Sequence, residues 1–249
     1  MSSAPDLTGT LLRRERLIVG AGIGLLAALS WWFLASGAGM DGPAVAAMGM
    51  PGIRQPPFGA LVLMWWLMML AMMLPSASPA ILLYSRVRGQ RGGEGAVVHP
   101  AVFAGGYGVV WLGFSVVAAA FQLFIATPAM TLADPQLASA FLIAAGLYQL
   151  SPFKSTCLSQ CQSPARFLST HWRRGALGAA RLGVLHGAWC VGCCWMLMAL
   201  LFVGGVMNLA WIVVVALIVG SEKLLPGGRL IGRIAGIGLI AWGTVRLLL

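Results

Sequence analysis

Three groups of soft donor residues stand out in this chain. The first is Gly183-Val-Leu-His186-Gly187-Ala-Trp189-Cys190-Val-Gly192-Cys193-Cys194-Trp195-Met196. On a helix turning 100° per residue, with His186 at zero, Cys190 falls near about +40°, Cys193 near about −20° and Cys194 near about +80°. An imidazole and two thiols then share an arc of about 60° over roughly two turns, with Cys194 at its margin. Thiolate and imidazole ligate Cu(I), and also Zn(II), and i, i+4 spacing lets adjacent turns grip one ion. Gly187 and Gly192 leave room for a neighbouring helix to bring further ligands. Cysteine also serves as a small apolar filler. That role covers one or two cysteines, but strains at three within five residues beside a histidine.

The second group is Cys157 and Cys161 in Lys154-Ser-Thr-Cys157-Leu-Ser-Gln-Cys161. One helical turn would bring both sulfurs to one side. The spacing is CxxxC rather than CxxC, which argues against a thioredoxin-type dithiol. The third group is the series Met64, Met68 and Met72, recurring every four residues down one apolar segment, with Met48 and Met50 preceding it. Thioethers favour Cu(I) over hard ions, although methionine is equally an ordinary packing residue. Glu222 beside Lys223 completes the candidates. An acid within an apolar segment is often functional, and this adjacent pair could also neutralise itself. There is no Ser-His-Asp order, Walker loop, HExxH or CxxCH in the chain.

The elements that must position these residues are membrane helices. Of 249 residues, 59% are hydrophobic and only 9% charged, against about 25% charged in soluble domains. Such a composition excludes a disordered chain, a nucleic-acid-binding domain and a disulfide-stapled secreted module. The expected fold is all-α, a polytopic transmembrane helix bundle of about seven spans (six also fit) forming a single integral membrane domain over 1–249. The apolar segments run over 17–36, 58–84, 102–126, 137–153, 183–203, 206–224 and 231–248. The first resembles a signal peptide in its flanks, but its longer apolar core and Gly20, Gly22 and Gly24 favour a retained, packed span. Pro75 and Pro79 are expected to break or kink the second. The interval from Ser151 to Arg181 reads as a loop or a short surface helix.

Charge sets the orientation. With the N-terminus in the cytoplasm, only Arg54 and Arg246 of the 16 basic residues fall outside, a strong positive-inside pattern. The localisation implied is a bacterial inner membrane. Cys190 would then lie about 10 Å in from the inner end of its helix. Cys157 and Cys161 would sit at the inner surface, where thiols stay reduced.

The motifs together resemble a known family. Met68-x-x-Ala71-Met72-Met73-x-Pro75 is followed by Tyr148-Gln149-Leu150-Ser151-Pro152-x-Lys154-x-x-Cys157-x-x-x-Cys161-x-Ser163-Pro164. Then come His186-Gly187-x-x-Cys190-x-Gly192-Cys193-Cys194-Trp195-x-x-Met198 and Phe202-Val203-Gly204-Gly205-Val206-Met207-Asn208-Leu209. In this order they resemble a bacterial family of unknown function described as predicted metal-binding integral membrane proteins, over about residues 58–225. The resemblance implies a membrane metal-binding protein.

The leading reading is copper(I) acquisition, transfer or homeostasis through His186, Cys190, Cys193, Cys194, Cys157, Cys161, Met64, Met68 and Met72, with zinc as the other metal. Met48 and Met50 would meet the ion outside. The implied partners are the lipid bilayer, the metal ion, a soluble metallochaperone or periplasmic donor, and a second copy of the chain, with no nucleic acid. Two other readings use the same residues. One is a membrane oxidoreductase with a metal or thiol centre; the other is a structural subunit whose cysteines and methionines merely pack helices.

Overall fold

Serine–proline and asparagine or aspartate signals divide this apolar chain. Proline has no N–H to give an interior turn but suits the first turn of a helix. The computed structural model describes residues 7–36, 57–90, 98–125, 132 and 134–248; Met48 and Met50 lie outside them. Its helices are α1 (Leu7–Ala35), α2 (Phe58–Gln90), α3 (Val98–Ile125), α4 (Pro135–Leu150), α5 (Pro152–Gln162), α6 (Pro164–His171), α7 (Gly175–Ala199), α8 (Leu201–Gly204), α9 (Leu209–Leu224) and α10 (Gly228–Leu248). Asp134 caps α4 by accepting from the Gln136 N–H, Ser151 caps α5 through the Lys154 N–H, and Asn208 caps α9 through the Trp211 N–H. Among the described residues no strand forms beyond an isolated bridge at Leu132.

The all-helical expectation holds, and the count of about seven spans is met in part. Among the described residues five helical stretches are long and apolar enough to cross a membrane: Leu17–Ala35, Phe58–Arg88, Val98–Phe124, Gly175–Gly204 and Gly228–Leu248. The fourth and sixth expected spans form α4 and α9, of 16 residues each. At 1.5 Å per residue that is about 24 Å, short of the roughly 30 Å hydrocarbon layer.

The interval 151–181, expected as a loop or a short surface helix, forms the short helices α5 and α6 and the first turns of α7, because Ser151-Pro152 and Ser163-Pro164 each start a helix. The inward residues Cys157, Leu158, Phe167 and Leu168 are buried. Since α7 begins at Gly175, Cys190 lies about 22 Å along its helix rather than about 10 Å.

α2 runs through Pro75 and Pro79 without ending. Pro79 cannot donate to the Pro75 carbonyl, and the Ser78 hydroxyl donates to it instead at 2.8 Å. The Met73 carbonyl accepts from the Ser76 and Tyr107 hydroxyls. At the Pro75 carbonyl a side chain thus supplies what Pro79 withholds, as an apolar interior requires.

Close packing rests on small residues. α3 lies along α7, where a Cβ on Gly183 would collide with the Phe103 carbonyl and one on Gly187 would meet Val110 Cβ at 2.9 Å. α4 lies along α10 in the same way, with Gly146 against Gly236 and Gly243 against the Ser139 carbonyl. In α1 only Gly20 faces α2, with Leu82 in reach, while Gly22 and Gly24 face open space. The core runs between α2, α3, α7 and α9, where Trp65, Met69, Tyr107, Trp111 and Leu182 are fully covered.

Candidate metal centre

The cysteine face of α7 points into the core. Cys190, Cys193 and Cys194 are buried, and the Cys193 and Cys194 thiols both donate back to the Cys190 carbonyl, at 3.1 and 3.0 Å. α5 lies across this face. Its Cys161 Sγ is 4.0 Å from Cys193 Sγ. Gly192 is what lets α5 approach, since a Cβ there would stand 3.0 Å from Cys157 Sγ. The two cysteine motifs, 29 residues apart in sequence between Cys161 and Cys190, therefore form one cluster.

Neither Cys157 nor Cys161 is exposed. Cys157 is buried against α7, and Cys161 is half-buried, the most open of the five thiols. Burial pushes the Cys157 thiol up. Hydrogen bonding to the Cys190 and Cys193 sulfurs holds the Cys161 thiol well above the usual range, and burial adds to it. All five cysteines are free thiols.

The opposite wall comes from α2, α3 and α9. Met73 Sδ of α2 is 3.8 Å from Cys194 Sγ. Tyr107 of α3 brings its hydroxyl to 3.1 Å from Cys190 Sγ and donates to the Met73 carbonyl. Lys223 of α9 places Nζ 2.9 Å from Cys190 Sγ, 3.6 Å from Met73 Sδ and 3.7 Å from Cys194 Sγ. Met64, Met68 and Met72 are buried. The thioether against the cysteines, however, is that of Met73, one residue off the series; Met72 lines a cleft shared with Trp31 and Gly220.

His186 lies one turn before Cys190, its ring 5.1 Å from Phe167 and 6.0 Å from both Phe103 and Tyr107. It is buried, and its Nδ1 has no hydrogen-bond partner among the described residues. Leaving such an atom unsatisfied costs on the order of 1–3 kcal/mol.

Glu222 does not pair with its neighbour. It is 1% exposed and faces Lys154 of α5, 2% exposed, at 2.5 Å, while the Gln149 amide of α4 donates to its other oxygen at 2.7 Å. Lys154 also donates to Gln149 Oε1. The Tyr148 hydroxyl donates to the Gly192 carbonyl beside the cysteines. Met73, Tyr107, Lys154 and Gln149 were not among the sequence candidates, and Lys223 was read only as a partner for Glu222. One signal was present: successive residues on a helix diverge by about 100°, so Glu222 and Lys223 had to face different neighbours.

Among the described residues no three His, Cys, Asp or Glu side chains converge on one point. What the site offers is sulfur in pairs and, with Met73, in a trio around Lys223 Nζ. Two metal–sulfur bonds of about 2.3 Å span about 3.8 Å at a tetrahedral angle and about 4.6 Å in a line. The Cys161–Cys193 separation of 4.0 Å lies between those limits. Soft, low-coordinate ions suit this donor set; hard oxygen-seeking ions do not.

The profile of the family described as PpoB2, copper chaperone, matches residues 62–246. No curated protein and no solved structure matches the chain.

Proposed function

The chain belongs to the PpoB2 copper chaperone family, and from that premise we propose that it is an inner-membrane carrier of Cu(I) which holds the ion among the cysteines of α5 and α7. The observation that carries this reading is the Cys161–Cys193 pair, 4.0 Å apart on two different helices and backed by Cys190, Cys194 and Met73. Two thiols with a thioether nearby select a soft monovalent ion over zinc, which prefers four closed ligands. The unpartnered Nδ1 of His186 is a further donor one turn away.

Burial gives the site a direction of use. Cys190, Cys193 and Cys194 are closed off, whereas Cys161 is half-open. Cu(I) held between Cys193 and Cys161 passes to a partner thiol through Cys161. Ligation releases the thiol proton, so capture is coupled to proton loss. The partner is a soluble metallochaperone or a periplasmic donor, according to which side α5 faces. The positive-inside pattern puts α5 and the N-terminus in the cytoplasm. In this arrangement α4 and α9 also cross, with α5 and α6 filling the layer that their short lengths leave.

Elemental analysis of detergent-purified protein after anaerobic Cu(I) loading tests the reading. Wild type should retain about one copper per chain, and Cys161→Ser/Cys193→Ser should lose it. Wild type without copper, or a double variant that binds as well as wild type, would refute it.

A further inference from the structure

A buried ammonium normally sits beside a carboxylate, because an unpaired charge in an apolar interior is costly. Lys223 is 6% exposed and has no carboxylate partner among the described residues. The nearest acid in sequence, Glu222, is turned to Lys154. Around Lys223 Nζ stand instead Cys190 Sγ at 2.9 Å, Met73 Sδ at 3.6 Å and Cys194 Sγ at 3.7 Å. Two helices, α2 and α7, thus converge three sulfurs on one positive charge, and the charge is on a side chain of the protein itself.

We propose that Lys223 is a tethered cation which fills the Cys190–Cys194–Met73 site of the copper-free protein and is exchanged for the incoming Cu(I). This rests on the reading that Cu(I) is held among the cysteines of α5 and α7, where Cys190, Cys194 and Met73 back the Cys161–Cys193 pair. The physical case is one of charge. A copper ion added beside the ammonium would set two like charges within a few ångströms in a medium that screens them poorly. Exchanging one for the other leaves the charge of the core unchanged apart from the thiol protons that ligation releases. Equal exchange also favours a monovalent soft ion over a divalent one, which adds a reason for Cu(I) to that given by the sulfur donors.

The fold provides for the exchange. Lys223 is the penultimate residue of α9, on a flexible four-carbon stem. Beyond it the chain turns through Leu225 and Gly227, whose φ of 88° suits glycine. The last turn of α9 presents the negative end of the helix dipole, which stabilises an ammonium leaving the sulfurs. The opposing wall stays fixed, because Tyr107 ties Cys190 to the Met73 carbonyl. A carrier that must release its cargo gains from this device: the tethered ammonium competes with the ion for the sulfurs and lowers its residence.

The test is anaerobic competition against a chromogenic Cu(I) chelator, in detergent, for wild type, Lys223→Leu and Lys223→Arg. Leucine contributes no donor, so a gain cannot come from a new ligand. Lys223→Leu should bind Cu(I) about ten-fold tighter or more, within the usual range of couplings between sites, and release it more slowly. Lys223→Arg, which keeps the cation, should stay close to wild type. Lys223→Leu binding equally or more weakly, with wild type still binding, overturns the proposal and leaves the copper reading intact. Absence of binding in wild type and Lys223→Leu alike overturns both. If the leucine variant does not fold, wild type decides: labelling of Lys223 by a small amine reagent, read by mass spectrometry, should rise on copper loading, and unchanged labelling overturns the proposal.

Discussion

Replacing Glu222 by glutamine removes one charge from a pair that is 2% and 1% exposed and leaves Lys154 with none. At an effective dielectric of about 20, unit charges 2.5 Å apart attract by about 6–7 kcal/mol. Desolvation of the two ions, several kcal/mol each, offsets most of that, so the intact pair contributes little beyond a well-packed apolar pair. Breaking it from one side is different, because the surviving ammonium stays desolvated and uncompensated; the cost is about 3–5 kcal/mol. Gln149 cannot make up the loss, since its amide donates to Glu222 and its carbonyl already accepts from Lys154. Glu222→Gln and Lys154→Met should therefore each lower stability by about 3–5 kcal/mol, whereas Lys154→Met/Glu222→Leu should return to within about 2 kcal/mol of wild type. Equilibrium unfolding in mixed micelles, followed by tryptophan fluorescence, measures all three. The pair ties α5 to α9, so the single variants should also lose copper at a lower temperature. A Glu222→Gln cost below about 1 kcal/mol, or a double variant as unstable as the sum of the singles, would refute the reasoning.

The remaining predictions concern the cluster and its supports. Mild oxidation should join Cys161 to Cys193, detected as a linked peptide pair by mass spectrometry; Cu(I) loading should block the bond, and a different pairing would contradict the 4.0 Å geometry. Met73→Leu nearly conserves volume, so stability should fall by less than about 1.5 kcal/mol. Chelator competition should nonetheless show weaker Cu(I) binding for Met73→Leu, while Met64→Leu should bind as wild type does. Gly183→Ala places a Cβ against the Phe103 carbonyl, a backbone atom that cannot swing aside. Thermal unfolding in detergent should show a loss of about 1–3 kcal/mol, with the α3–α7 contact opened.

The sequence made the cysteine face legible, because helical arithmetic needs only one element: Cys190 and Cys193 fall on the buried side of α7. What it could not supply was the neighbour. That α5 lies on Gly192 depends on two Ser-Pro starts re-aiming the chain after α4, and no periodicity in the 151–163 segment announces where its helix will rest. Lys154 was hidden for the same reason, reading as one more basic residue at an inner surface. Met73 was missed because a four-residue spacing selects a face, and the face in contact lies about 100° away. Seven apolar segments were legible, and among the described residues five of them reach spanning length; polar caps at Asp134, Ser151 and Asn208 hold α4 and α9 to 16 residues.

Those two short helices explain why charge collects beside the sulfurs. A helix that ends inside an apolar core exposes its last carbonyls, and these must be satisfied from within the protein. The Ser151 N–H donates to the Tyr148 carbonyl where α4 ends; where α9 ends, the Leu225 N–H donates to Ser221 and the Gln162 amide to the Glu222 carbonyl. Gln149 and Glu222, from the last turns of α4 and α9, then join through one hydrogen bond and draw in Lys154. Polar groups that a continuous helix would never need are thus gathered at one place, and Lys223 is delivered from that same end to the cysteines. A soft ion needs sulfur to bind and a managed charge to leave. Unbroken helices could offer the first; the second requires helix ends, which is where discontinuous membrane helices place ion sites in general.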